Sequence, residues 1–487
     1  MYKSERNLSM LLDFYELTMA NGYAENGIAD KVTYFEMFFR SVPDRGGFAV
    51  LAGLEQVIDY LKNLSYTQED IDYLRGKGIF GERFLSALKG FRFTCDVWAV
   101  PEGTPVFPGE PLLIVRGPAF QAQMVETMIL LCINHQSLVA TKASRIVRAA
   151  QGRPVMEFGS RRAQGFDGAV YGARAAYIGG CSGTACAISD RDMSVPAMGT
   201  MAHSWVQMFD SELEAFRAYA KCYPNGATLL VDTYNTLKSG VPNAITVFHE
   251  LKQMGYKNFA VRIDSGDIAY LSKKTRALLD DAGLKEVKII ASNSLDELLI
   301  RGVLSQGAPI DSFGVGERLI ASASSPVFGG VYKLVALEEG GKIVPKIKLS
   351  ENVSKITNPG FKELWRFYDN FTGQSLADVM TCYGEKIDQS KPYEIFDPEY
   401  TYKRKTLENY TAVRLLKPVF RNGECVYTSP PLTEIRDYCA AQSDTLWEEI
   451  KRFENPHKFY VDLSQALWDE RNGLLTGISQ ASNTANA

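Results

Sequence analysis

The chain has 487 residues, too many for one ordinary hydrophobic core, so two or three domains are expected. Hydrophobic residues make up 46% and charged residues 23%, which excludes a disordered chain. A net charge of −4 excludes nucleic-acid binding by a broadly basic surface, and leaves local basic pockets for phosphates open.

The N-terminal stretch MYKSERNLSMLLDFYELTMANGY holds a short apolar run, MLL, broken at once by Asp13 and Glu16. A signal peptide is not expected. No window approaches ~18 uninterrupted apolar residues, so no membrane span is expected either. The eight cysteines are scattered without a C-x-x-C pair, which predicts reduced, cytoplasmic thiols and no zinc site.

LEQVIDYLKNL and EDIDYLRGKGI carry helical spacing. FTCDVWAVPEGTPVFPGEPLLIVRGP alternates instead, and is punctuated by Pro101, Pro105, Pro108 and Gly109. That pattern predicts antiparallel strands joined by proline-rich turns. Residues 1–130 therefore predict an N-terminal α+β domain. Residues 122–150 form a long, interrupted helical pattern.

The rhythm then changes. PVMEF precedes GSRRAQG and a helix; ATLLVD, FAVRID and VKIIAS each precede a polar junction and a helix; IDSFGVG closes the series. These are repeated βα units, and residues 131–350 predict an irregular (β/α) barrel, so the fold class is α/β. Sites in such architectures form at the carboxyl ends of strands. The junctions there are Glu157–Arg162, Asp232-Thr233, Arg262–Asp267, Ser292–Ser294 and Gly314–Gly316. Any single junction reads equally well as a helix cap. Five at one mouth read as a site. Residues 351–487 predict a small C-terminal α+β domain, with helices at SDTLWEEIKRF and LSQALWDERNGLL and a frayed SQASNTANA tail.

Four features carry chemistry. Gly314 and Gly316 would let backbone N–H groups approach a phosphate. Arg262, Asp264 and Asp267 could bind an anion, ribose hydroxyls and a divalent metal, or could form an internal salt bridge with an N-cap. Arg161 and Arg162 offer a second cationic fork for a carboxylate or phosphate. His203, in GTMAHSW, falls in the first turn of a short helix starting near Ala202. A second helix begins at the box Ser211-x-x-Glu214. A helix start favours a neutral imidazole beside unpaired N–H groups, where a phosphoryl group could be accepted. A hydrogen-bonded core histidine is the alternative, and local reasoning leaves both open.

The motifs LLDFYELTMANGY, YFEMFFRSVPDRGGFAVLAGLE, EFGSRRAQG, GTMAHSW, VRIDSGD and FGVG, in this order, resemble nicotinate phosphoribosyltransferase, among the type II phosphoribosyltransferases. The resemblance covers nearly the whole chain. It implies an N-terminal α+β domain, an irregular α/β barrel and a C-terminal extension. It implies that nicotinate is joined to 5-phosphoribosyl 1-diphosphate with Mg²⁺, coupled to ATP hydrolysis through a phosphohistidine, in NAD biosynthesis. His203 matches that histidine. Tyr15 matches a tyrosine that stacks on the pyridine ring from the neighbouring subunit, so a homodimer is implied. Phe158 matches the opposite stacking partner. Arg161, Thr200 and Arg262 match positions around nicotinate, and Arg262 and Asp264 match catalytic ones, Asp264 close to ribose or metal. Gly314 and Gly316 resemble the 5′-phosphate loop, and Thr357 and Arg40 resemble contacts to the phosphoribosyl diphosphate.

One departure stands at GCSGTACA, where the family often reads Thr-Ser-Asn and this chain has Thr184-Ala185-Cys186. Nicotinamide-specific relatives place an aspartate at about Ala185. A carboxylate there would repel nicotinate, so its absence favours the acid. The rival readings are a nicotinamide or quinolinate phosphoribosyltransferase, and a non-catalytic ligand-binding barrel. The last would be expected to lose His203, Arg262 or Asp264, and all three are present.

Overall fold

The computed structural model describes residues 6–348 and 356–485, with side chains to residue 477. The stretch SENVSK before Ile356 lies outside the described residues. Two compact units are present: Val139–Pro326, and Lys3–Leu138 together with Val327–Ala487. Among the described residues no helix is long and apolar enough to cross a membrane.

The second unit is built on a seven-stranded sheet fed from both ends of the chain. Its order is Lys342–Pro345, Gly330–Glu339, Val32–Phe39, Leu113–Pro118, Asp96–Ala99, Lys417–Arg421, Glu424–Cys425. Val32–Phe39 is antiparallel to both of its neighbours and is buried on both faces after Val32. That explains why VTYFEMFF is nearly continuously apolar rather than alternating. Its one charge, Glu36, is buried and lies 3.0 Å from Lys362 Nζ. Burial pushes the Glu36 carboxyl up, against the pull of Lys362. The same ammonium donates to the carbonyl oxygens of Asn358, Pro359 and Gly360 at 2.7, 3.1 and 2.9 Å, which pins the turn of ITNPG.

The proline-punctuated segment forms the strands Asp96–Ala99 and Leu113–Pro118, antiparallel as predicted. The pattern over 122–150 resolves into helices Ala119–Gln123 and Glu126–Ala149, with the interruption between them. Tyr410–Arg414, Lys362–Asp369, Ser375–Cys382 and Val461–Leu463 make a four-stranded sheet. LSQALWDERNGLL starts the helix Gln465–Ala485, so the tail expected to fray is helical to Ala485. SDTLWEEIKRF is not the helix it was expected to be. The helix lies upstream at Leu432–Asp444, with Pro431 as its N-cap. The following turns instead bury Leu446 and Ile450. They bring the Ile450 carbonyl so close to Gly47 that a Cβ on Gly47 would sit 2.1 Å from it.

The unit Val139–Pro326 holds the predicted βα series. Six parallel strands run in the order Gly183–Thr184, Val155–Glu157, Ser312–Val315, Lys288–Ser292, Ala260–Ile263, Thr228–Leu230. Leu229, Val261, Ile263, Ile289, Ala291, Phe313 and Val315 are fully buried in it. Helices Gly165–Ile178, Val241–Gln253, Ile268–Asp281 and Glu297–Ser305 follow strands in the chain. The two-residue strand Gly183–Thr184 has no sequence signal of its own.

Candidate active site

The carboxyl ends of these strands gather the polar junctions. Thr228–Leu230 is followed by Asp232, whose side chain is 1% exposed. Asp232 Oδ2 accepts from the Asp264 N–H at 3.0 Å and from the Ser265 hydroxyl. Asp232 Oδ1 has no hydrogen-bond partner among the described residues and lies 4.0 Å from His203 Nε2. Asp264, just past the strand Ala260–Ile263, brings Oδ2 to 3.8 Å from the same nitrogen, while its Oδ1 accepts from the Ser292 hydroxyl. His203 Nδ1 lies 3.2 Å from Thr233 Oγ1. Two carboxylates and a hydroxyl thus surround one imidazole, which remains 40% exposed. The core-histidine alternative does not survive that exposure.

His203 is the first residue of the helix His203–Gln207, with Ala202 as N-cap. Ser211 caps the next helix, Glu212–Cys222, and accepts from the Glu214 N–H at 3.2 Å, as its spacing predicts. Asp267 is a cap as well: its Oδ1 accepts from the Tyr270 N–H at 2.9 Å. The alternatives weighed for Arg262, Asp264 and Asp267 therefore split, with Asp267 serving the helix and Asp264 facing the histidine. After Ser292 the backbone turns left-handed at Asn293 and Ser294, with φ of 88° and 49°. Neither is glycine, so this turn is strained at the edge of the site.

Arg262 donates from Nη1 to the Thr200 hydroxyl, and its buried Nε has no partner among the described residues. Burial lowers its proton affinity; Asp264 and Asp232 oppose that, and the Arg161 guanidinium adds to it. The Arg161 guanidinium thus adds positive charge to the surroundings of Arg262, against the two carboxylates.

Phe158 follows the strand Val155–Glu157 and packs its ring over Gly314. A Cβ on Gly314 would sit 2.5 Å from Phe158 Cδ2, and one on Gly316 would sit 3.2 Å from the Phe158 carbonyl oxygen. Gly314 therefore seats the aromatic ring, and Gly316 leaves room for the Phe158 backbone. Gly314→Ala is expected to push that ring out of place and lower the melting temperature, by a clash of the kind that costs ~1–3 kcal/mol. Thermal melts check this, and an unchanged melting temperature rules it out.

Phe158, Arg161, Thr200, His203, Arg262, Asp264, Gly314 and Gly316 all belong to the unit Val139–Pro326. Tyr15, Arg40 and Thr357 belong to the other. Tyr15 is 43% exposed. Partial burial and a hydrogen bond to Glu126 push its hydroxyl up, so it stays protonated. Arg40 is exposed at the end of Val32–Phe39, and Thr357 is 2% exposed with no partner for Oγ1 among the described residues. Sequence reasoning listed Asp232, Thr233 and Ser292 as junction residues without giving them a role. Among the described residues no group of three or more His, Cys, Asp or Glu is arranged to hold a metal by itself.

Residues 10–134 match the model of the nicotinate phosphoribosyltransferase (NAPRTase) N-terminal domain, and residues 361–471 match that of the nicotinate phosphoribosyltransferase C-terminal domain. Nicotinate phosphoribosyltransferase of Bacillus subtilis is 42% identical over 467 residues, spanning 96% of this chain and 94% of that one. The chain belongs to the nicotinate phosphoribosyltransferase family. The human nicotinate phosphoribosyltransferase is 31% identical across 96% of this chain and 97% of its own. The crystal structure of human nicotinic acid phosphoribosyltransferase superposes with a TM-score of 0.84 at 29% identity, covering 95% of this chain and 99% of that one. A nicotinate-nucleotide pyrophosphorylase from Pyrococcus furiosus superposes with a TM-score of 0.71 at 25% identity, covering 91% of this chain and 98% of that one. Both family models match segments of the unit that carries Tyr15, Arg40 and Thr357. The strand-end residues around His203 lie between those segments, and the near full-length relatives span them.

Proposed function

We propose that the chain joins nicotinate to 5-phosphoribosyl 1-diphosphate, giving nicotinate mononucleotide and diphosphate, as a cytoplasmic step of NAD biosynthesis. The observation that carries this reading is the pairing of two sites at one set of strand ends. A cationic patch, Arg161 and Arg262 with Thr200, lies beside a carboxylate-ringed histidine, His203 with Asp232 and Asp264.

The bond from ribose C1 to the diphosphate oxygen breaks, and the pyridine nitrogen forms the new bond to C1. Positive charge builds on the ribose as diphosphate departs, and the Asp264 carboxylate is suited to stabilise it. No proton needs to move, so positioning carries most of the catalysis. Arg262 and Arg161 hold the nicotinate carboxylate. Phe158 covers one face of the ring and Tyr15 of a second copy the other, which makes the homodimer the active unit. The six parallel strands fit an irregular barrel. The backbone at Gly316 is assigned to the phosphates of the ribosyl donor, and Arg40 to those of a second copy's donor.

ATP coupling runs through His203. With Nδ1–H directed at Thr233, Nε2 carries the lone pair and attacks the γ-phosphorus of ATP; an N–P bond forms, the bond to the β-phosphate's bridging oxygen breaks, and ADP leaves. Hydrolysis of the N–P bond later returns the histidine and releases phosphate. The two carboxylates near Nε2 would repel that phosphoryl group unless a cation lay among them. Asp232 Oδ1, buried and unpartnered, and Asp264 are the oxygens that would hold Mg²⁺, with water and substrate oxygens completing its shell. When bound, Mg²⁺ supplies charge neutralisation at the diphosphate.

One assay tests the reading: labelled nicotinate, the ribosyl donor, Mg²⁺ and ATP, scored for mononucleotide and ADP. Unlabelled nicotinate, nicotinamide and quinolinate compete in parallel. Nicotinate is expected to compete best, because Ala185 offers no carboxylate to repel it or to accept from an amide. Product only with nicotinamide or quinolinate, or none at all, overturns the proposal.

A further inference from the structure

Glu157 ends the strand Val155–Glu157 with its side chain fully buried. A carboxylate out of water is destabilising unless donors satisfy both oxygens. The Thr184 hydroxyl donates to Oε2 at 2.6 Å, and the Gly159 N–H donates to Oε1. Burial pushes the carboxyl up and these two bonds pull it back. Phe158 lies directly between the held groups. Its own N–H donates to the Val315 carbonyl at 2.8 Å, and the next N–H along the chain is the one Glu157 accepts. The backbone is therefore fixed on both sides of the aromatic ring.

Thr184 extends the same network. Its hydroxyl oxygen accepts from the Cys186 N–H at 3.0 Å, and the Ala185 N–H donates to the Glu157 carbonyl at 2.8 Å. The Thr184 N–H donates to the Pro196 carbonyl at 2.9 Å, and its carbonyl accepts from the Met198 N–H at 2.8 Å. A Cβ at residue 183 would sit 2.4 Å from the Pro196 oxygen, so glycine is required for this approach. Two residues past Met198 stands Thr200, which accepts from Arg262. One buried carboxylate–hydroxyl pair thus ties together Phe158, the Thr184–Cys186 turn and the segment that presents Thr200.

We propose that Glu157 and Thr184 form a positioning dyad that sets the walls of the pyridine pocket and so governs acceptance of the ring without touching the ribosyl diphosphate. This rests on the reading that Phe158 and Thr200 meet nicotinate. Valine at 184 keeps the shape of threonine but leaves Glu157 Oε2 and the Cys186 N–H without their partner.

The test is steady-state kinetics of Thr184→Val and Thr184→Ser beside the wild type, with thermal melts of each. Thr184→Val is expected to raise the KM for nicotinate about tenfold or more, with kcat and the KM for the ribosyl donor within about threefold. Thr184→Ser, which keeps the hydroxyl, is expected to return the nicotinate KM to within about threefold of wild type. Where the valine variant does not fold, Thr184→Ala is held to the same split. An unmoved nicotinate KM, an equal rise in both KM values, or a serine variant as impaired as the valine overturns the dyad. A wild type with no nicotinate activity instead overturns the functional reading, and the dyad's role with it.

Discussion

In the His203→Ala enzyme, nucleotide formation is expected to lose its response to ATP while a slow, uncoupled transfer persists. The geometry separates the two effects. His203 faces Asp232, Asp264 and Thr233, whereas Thr200, Arg262 and Arg161 form the neighbouring cationic patch assigned to the ring. Removing the imidazole takes away the proposed phosphoryl acceptor and leaves in place the residues proposed to meet the ring. The ratio of ADP to mononucleotide should fall from near stoichiometric to background, and the acid-labile, base-stable label from γ-labelled ATP should vanish. A variant that keeps full coupling would mean that the phosphoryl group is accepted elsewhere.

Arg262→Ala is expected to lower kcat/KM for nicotinate by about 10²–10³-fold, on the order of 3–4 kcal/mol of transition-state stabilisation. Arg262 has two functions that alanine cannot supply. It donates to Thr200, and its charge balances the neighbouring carboxylates of Asp264 and Asp232, the second of which is buried. Loss of the guanidinium leaves Asp232 with less opposing charge in a poorly solvated place, so the melting temperature should fall as well. Lysine is expected to restore little, because a point charge cannot reproduce a planar fork. Measuring kcat/KM for both substrates together with thermal melts checks this. Activity within about fivefold of wild type would remove Arg262 from the site.

Much of this site was legible at the level of single strands. Apolar runs ending in Glu157, Asp232, Asp264, Ser292 and Gly314 announced where polar chemistry would sit, because the parallel sheet places strand ends on one side. Which of those residues act was less legible. RIDSGD contains two aspartates, and only the structure separates Asp264, which faces His203, from Asp267, which caps a helix. Asp232 was visible as a junction, but its importance lies in meeting His203, Asp264 and Ser265, all about 30 positions away in sequence. The glycines of FGVG suggested a phosphate loop, and a local motif cannot reveal that Phe158, far upstream, needs the room. SDTLWEEIKRF reads as a helix because its pattern is helical; buried packing of Leu446 and Ile450 in turns overrides that pattern.

The seven-stranded sheet also carries a consequence for synthesis. Val32–Phe39 can pair with Leu113–Pro118 soon after both leave the ribosome, but its other neighbour, Gly330–Glu339, is made about 300 residues later, roughly 15–60 s at ordinary elongation rates. Over that interval the nascent chain carries an open, apolar strand edge, a template for pairing with the wrong chain. The parallel unit, encoded wholly within the gap, can fold while that edge waits, so the order of translation makes the middle of the protein the first part to be finished.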